Sequence, residues 1–227
     1  MGVATIIMGQ SGTGKSASMR NLDPSNVLLI QAVKKPLPFK SSGWKPWVGK
    51  EKAGSVAVTD NSAHICKAIE RAKANGKNIV IIDDFQYIMA NEFMRRANEK
   101  GYEKFTQMAK NVWDIFQKVI DTDDDVRVYV LTHTQTDEYG QNAKMKTIGK
   151  MLDEKITLEG MVTIVLRSHR QEGQYFLTTQ NDGSDTVKSP MGMFADESID
   201  NDLAVIDATI CEYYGITEIT NDKEEAQ

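Results

Sequence analysis

Gly9-Gln10-Ser11-Gly12-Thr13-Gly14-Lys15-Ser16 is the stretch whose reading decides the fold. It spells G-x-x-x-x-G-K-S, the pattern of a loop whose backbone N–H groups cradle phosphates. The flanking residues supply the context that such a loop needs. Val3-Ala4-Thr5-Ile6-Ile7-Met8 is an apolar, β-branched run that reads as a buried strand, and Lys15 to Arg20 reads as the start of a helix. The glycines let the backbone curl so that successive N–H groups point inward at a helix N-terminus. Lys15 brings a positive charge toward β- and γ-phosphates, and the Ser16 hydroxyl is placed to ligate Mg²⁺. The expected nucleotide-binding set is therefore Gly9, Gln10, Ser11, Gly12, Thr13, Gly14, Lys15, Ser16 and the following Ala17, with ATP and Mg²⁺ as ligands. A plain glycine-rich turn leaves Lys15 and Ser16 in register unexplained.

A second element matches the first. Asn78-Ile79-Val80-Ile81-Ile82-Asp83-Asp84 is a continuous apolar strand ending in two acids. Beside a phosphate loop, an acid at such a strand end sits next to the Mg²⁺ and its waters, a role assigned to Asp83. Asp84 has two readings. It polarises an attacking water, although Asp is shorter than the Glu usual there, or it caps the helix that begins near Phe85.

Composition sets outer bounds. The 227 residues, 41% hydrophobic and 26% charged, suit one large α/β domain. No apolar run approaches the ~20 residues that cross a bilayer, and the sequence enters its first strand at once, so neither membrane span nor secretory leader is expected. Cys66 and Cys211 stand far apart with no C-x-x-C, which reads as two reduced, buried thiols in a cytoplasmic protein. The net charge of −5 does not advertise a nucleic-acid binder, but it is unevenly spread. Residues 34–52 carry six lysines against Glu51, a local +5, and residues 217–227 carry four acids against Lys223, a local −3.

The rest of the chain alternates strands with helices. Strands are expected at 27–33, 55–59 and 126–132, and helices from Asp60 or Asn61 to about 75, near 85–98, and at 104–120. Phe105, Met108, Ala109, Val112, Trp113, Phe116, Val119 and Ile120 form a helical stripe that reads as core packing. Residues 34–54, with Pro36, Pro38 and Pro46, read as a long loop. Strands without polar alternation imply a mostly parallel sheet covered on both faces. Val162 to Arg167 and Tyr175 to Thr179 then read as an antiparallel hairpin at the sheet edge, followed by a helix at about 201–214. The expected organisation is one domain over 1–215 with an acidic, loose tail at 216–227.

Several polar groups are candidates for the same chemistry. Thr132 and His133 end a central strand, with Gln135 a weaker candidate; in RecA-like and AAA-like sheets the polar residue at this position lies beside the γ-phosphate, whereas a lone His is more often a hydrogen-bonded structural residue. Lys144, Lys146 and Lys150 occupy a glycine-flanked segment, 141–150, without an acid, where lysines neutralise a nucleic-acid backbone or simply face solvent. Phe39-Lys40-Ser41-Ser42-Gly43-Trp44-Lys45-Pro46-Trp47 interleaves aromatics with cations. Lys40, Trp44, Lys45 and Trp47 thus form a platform for single-stranded DNA, or the two indoles anchor the loop.

With these features placed, the chain resembles the phage-encoded P-loop ATP-binding proteins of RecA-like/AAA type, including those proposed as Sak-type single-strand annealing recombinases. The resemblance spans nearly the whole chain. It rests on the phosphate loop, on Lys35-Pro36-Leu37-Pro38-Phe39, Ile82-Asp83-Asp84-Phe85-Gln86-Tyr87 and Asn91-Glu92-Phe93-Met94-Arg95-Arg96, and on the 179–190 stretch that ends in Lys188-Ser189-Pro190. It implies a RecA-like fold and ATP hydrolysis coupled to DNA recombination or annealing in the host cytoplasm. It further implies a homo-oligomer, ring or filament, whose sites are completed across subunits by a basic finger; Arg167, Arg170 and Lys188 are the candidates. One alternative is a nucleotide-gated loader acting on a helicase or single-strand binding protein. Another is a small-molecule or nucleotide kinase, which would need a lid with catalytic arginines.

Overall fold

The computed structural model describes residues 2–137 and 142–217. The acidic run after Thr217, and Gly140 and Gln141 of the lysine segment, lie outside the described residues. Among those residues the strands are β1 (Val3–Gly9), β2 (Val27–Gln31), β3 (Val56–Val58), β4 (Ile79–Asp83), β5 (Arg127–Thr136), β6 (Ala143–Met145), β7 (Ile164–Gln171), β8 (Gln174–Thr178) and β9 (Ser198–Asp200). The helices are α1 (Ser62–Glu70), α2 (Gln86–Arg95), α3 (Glu103–Ile120) and α4 (Leu203–Tyr214). The described strands all join one sheet in the order β3-β2-β4-β5-β1-β7-β8-β9, with β6 on the far end of β5. Strands β3 to β7 along that path run parallel, and β8 and β9 extend the edge antiparallel. In this order β5 separates the phosphate-loop strand β1 from the acid-bearing strand β4.

The near-continuous hydrophobicity of the strands has a direct structural meaning. Alternate side chains enter two cores, as the period of 2 requires. Ile6, Met8, Leu28, Ile30, Val80, Ile82, Val128 and Val130 pack with α1 and α3 on one face. Ile7, Leu29, Ile81, Tyr129, Leu131 and Leu166 pack with Met19, Leu22 and α4 on the other. The α3 stripe is buried at Met108, Ala109, Val112, Ile115, Phe116 and Val119. Trp113 lies outside it, because one residue beyond Val112 the helix has turned about 100° away from the core.

Local chemistry sets the ends of these elements. The Asn61 side chain accepts from the His64 N–H and caps α1, and Asp202 caps α4 by accepting from the Ala204 N–H. Glu172 and Gly173 both have positive φ, 52° and 83°, so β7 and β8 meet in a tight two-residue turn. Other expectations are corrected as well. The helix after the phosphate loop is a six-residue 3₁₀ segment, Ser16–Asn21, because the Ser18 hydroxyl bonds back to the Lys15 carbonyl and Pro24 follows closely. Within the lysine segment, Ala143–Met145 form the short strand β6, with Ala143 and Met145 turned inward, paired with Thr134–Thr136. Cys66 is half-buried rather than buried, and neither cysteine forms a disulfide. No described helix is long and apolar enough to cross a membrane.

Candidate functional site

The parallel strands β1, β4 and β5 end on one side of the sheet, where open α/β sheets hold their ligands. Register aligns the ends. Gly9 of β1 stands opposite His133 of β5, and Gln31 of β2 stands opposite Asp83 of β4. A cavity of about 420 Å³ opens there, bounded by the phosphate loop, Lys35, Asp84, His133 and Tyr175.

The loop itself is built by its glycines at two points. Gly14 has φ +93°, and a Cβ there would come within 2.4 Å of the Asn201 amide and 2.8 Å of the Tyr175 ring. At Gly9 a Cβ would meet the Ser168 hydroxyl at 2.2 Å, so β1 and β7 approach closely only because this residue is glycine. Thr13 ties the loop down, its hydroxyl donating to the Gln10 carbonyl at 2.8 Å and pairing with the Ser168 hydroxyl at 2.7 Å. Asn201 Nδ2 donates to the Gly14 carbonyl at 3.0 Å. Because the following helical segment is short, the anion-binding geometry here belongs to the loop's own N–H groups more than to a helix dipole.

Lys15 is 6% exposed, and its ammonium donates to the Gly9 carbonyl at 2.8 Å and the Gln10 carbonyl at 2.7 Å. Burial lowers its pKa to about 8; Asp83 and Asp84 oppose that shift, and Lys35 adds to it. The Ser16 hydroxyl donates to both Asp83 carboxylate oxygens at 2.9 Å. Asp83 is 1% exposed, and burial, with Asp84 next to it, pushes its pKa above the usual carboxylate range. Hard divalent cations take oxygen donors of this kind, so the hydroxyl–carboxylate pair fits Mg²⁺ and the glycine loop fits a phosphate chain.

Asp84 adopts a left-handed backbone, φ 58°, which Asp tolerates better than most residues and which is uncommon outside special sites. Its side chain does not cap the next helix: the N-cap of α2 is Phe85, with no side-chain cap bond. The carboxylate instead faces the cavity, in a close ion pair with Lys35 and 3.9 Å from His133 Nε2. Burial lowers the His133 pKa and Lys15 adds to the effect against Asp84, so the neutral ring is favoured. The Thr132 hydroxyl and the His133 backbone N–H both donate to the Gln86 side-chain oxygen Oε1, at 3.4 and 3.1 Å, linking the end of β5 to α2.

Lys35 and Tyr175 enter the site although sequence reasoning assigned them no role in it. The signal for Lys35 was a Lys-Pro-x-Pro run directly after β2; for Tyr175 it was only its place opening β8. The finger candidates lie in this chain's own contacts. Arg167 pairs with Asp185 at 3.0 Å, the Arg170 guanidinium lies 5.3 Å from the Tyr175 ring centre, and the Lys188 backbone bridges Val165. Trp44 packs against one core and edge-on to Phe39, and Trp47 packs against the other beneath Lys77, so both indoles anchor their loop. Lys40 and Lys45 beside them are exposed, as are Lys146 and Lys150, with Lys144 half-buried.

No protein-family model and no curated protein sequence matches the chain. Among solved structures the chain is similar to a KaiC-like protein from the hyperthermophilic archaeon Pyrococcus horikoshii OT3. The likeness has 14% sequence identity and a TM-score of 0.44, covering 78% of this chain and 77% of that one.

Proposed function

We propose that this chain is a Mg²⁺-dependent P-loop ATPase that couples ATP binding to single-stranded DNA, as an oligomeric recombination or annealing protein of the phage-encoded kind. The convergence of Lys15, Ser16 and Asp84 on one cavity at the strand ends, with Asp83 hydrogen-bonded to Ser16 behind it, carries this reading. The loop N–H groups and Lys15 bind the phosphates, and Ser16 and Asp83 hold the metal. Held by Ser16 and Asp83, Mg²⁺ would supply neutralisation of negative charge on the phosphates. Asp84 orients a water toward the terminal phosphate, and His133 marks whether that phosphate is there.

Coupling to DNA has a physical route. The Lys146 N–H donates to the His133 carbonyl at 2.8 Å, so the lysine-bearing β6 segment is tied directly to the strand end that faces the phosphates. Lysines so placed hold a nucleic-acid backbone without reading its sequence. ATP turnover is therefore expected to rise several-fold with single-stranded DNA at low salt, and the rise is expected to fade as salt increases. Identical turnover with and without DNA, together with no DNA retention, refutes the DNA part. A mass measurement with an ATP analogue, with and without DNA, tests oligomerisation.

The lowered pKa of Lys15 makes a second expectation. Phosphate binding favours the ammonium, which is half lost at about pH 8 and largely lost well above it. Triphosphate affinity is therefore expected to fall as pH rises past 8, with a proton taken up on binding in that range. Calorimetry in two buffers of different ionisation heat checks this, and a flat profile from pH 7 to 9.5 contradicts it.

A further inference from the structure

The segment after β2 brings a second lysine to the phosphate loop. Leu37 and Phe39 pack onto the core below, while Lys35, Pro36 and Pro38 line the cavity. The Gln31 amide donates to the Lys35 carbonyl at 3.1 Å, fixing that backbone beside the end of β4. From this anchored position the Lys35 side chain, 38% exposed, pairs its ammonium closely with Asp84 and places it 3.9 Å from Asp83. Two lysines and two aspartates thus face each other, with formal charges that cancel. A triphosphate with its Mg²⁺ is still anionic, and Lys15 is already shared with two loop carbonyls. Lys35 is the cation on the Asp84 side of the cavity, where the terminal phosphate of a chain running past Lys15 would lie.

We propose that Lys35 is a γ-phosphate ligand supplied in cis, with Asp84 as its resting partner; the inference rests on the nucleotide reading above. Lys35 exchanges an ammonium–carboxylate contact for an ammonium–phosphate contact, and the exchange frees Asp84 to orient water. A diphosphate stops short of this position and gains nothing from Lys35. The residue therefore sets the preference for triphosphate over diphosphate, and the resting ion pair keeps Asp84 engaged until a triphosphate is bound.

The test is equilibrium binding of a non-hydrolysable ATP analogue and of ADP, both with Mg²⁺, to the full chain. Lys35→Met is expected to weaken the analogue by about tenfold or more, the scale of one charge-assisted contact, and to leave ADP within about twofold. Asp84→Asn removes the competing carboxylate and tolerates the same left-handed backbone. It is expected to tighten the analogue several-fold, and Lys35→Met in the same chain is expected to abolish that gain. Unchanged melting temperatures exclude a folding defect, as the Leu37 and Phe39 anchors predict. Equal effects on both ligands, or no effect on either, overturn the role of Lys35 while leaving the nucleotide reading in place. Failure of the unaltered chain to bind either ligand overturns both.

Discussion

Lys15→Ala is expected to lower triphosphate affinity by about a hundredfold or more, and turnover with it, while the fold survives. Each ammonium–phosphate contact contributes about 1.5–3 kcal/mol, and Lys15 is placed to make more than one. The fold tolerates the loss because the ammonium is buried at a cost, visible in its pKa of about 8, and that cost disappears with the side chain. Of the two carbonyls it leaves, Gln10 keeps the Thr13 hydroxyl as donor. Titration with a fluorescent ATP analogue measures the affinity, and circular dichroism with a thermal melt reports the fold. Affinity within threefold of the unaltered chain would remove the phosphate loop from the site.

Much of this architecture was legible because it is written in local patterns. The glycine loop, the apolar run ending in Asp83-Asp84 and the α3 stripe each occupy a few consecutive turns or a single strand, where periodicity speaks directly. The β7–β8 hairpin was legible for the same reason, through Glu172-Gly173. The misses share a different cause. β6 and β9 are three-residue strands that exist because β5 and β8 offer them an edge, and their own residues show little β preference. The short 3₁₀ segment after Lys15 depends on a side-chain bond from Ser18 that no hydropathy pattern records. Lys35 meets Asp84 across 49 positions, a contact set by the packing of Leu37 and Phe39. Asp84 shows the limit most plainly. Its position before Phe85 suited a helix cap, but its left-handed backbone turns the carboxylate into the cavity.

Asp207→Ala is expected to destabilise the protein by about 3–5 kcal/mol, the cost of breaking a buried ion pair. Arg127 opens β5 in the middle of the sheet and is 1% exposed. Its guanidinium meets the Asp207 carboxylate of α4 with two bonds, Nε to Oδ1 at 3.0 Å and Nη2 to Oδ2 at 2.7 Å, and Nη1 donates to the Asp125 carbonyl at 2.8 Å. The Tyr129 hydroxyl, fully buried, donates to the same carboxylate; burial, reinforced by Asp207, holds its pKa well above normal, so it stays a donor. Removing the carboxylate strands a guanidinium and a phenol together in a dry interior. That is costly against a total stability of about 5–15 kcal/mol. For a chain of this size the melting temperature is expected to drop by about 10 °C. Tyr129→Phe, which leaves the ion pair intact, is expected to cost only about 1 kcal/mol. Replacing both partners, Arg127→Met with Asp207→Leu, is expected to recover most of the loss, since the penalty lies in the unpaired charge and not in the absence of a salt bridge. Chemical denaturation of the three variants measures the series. An Asp207→Ala midpoint indistinguishable from that of the unaltered chain would mean that the α4 contact contributes nothing to holding the sheet.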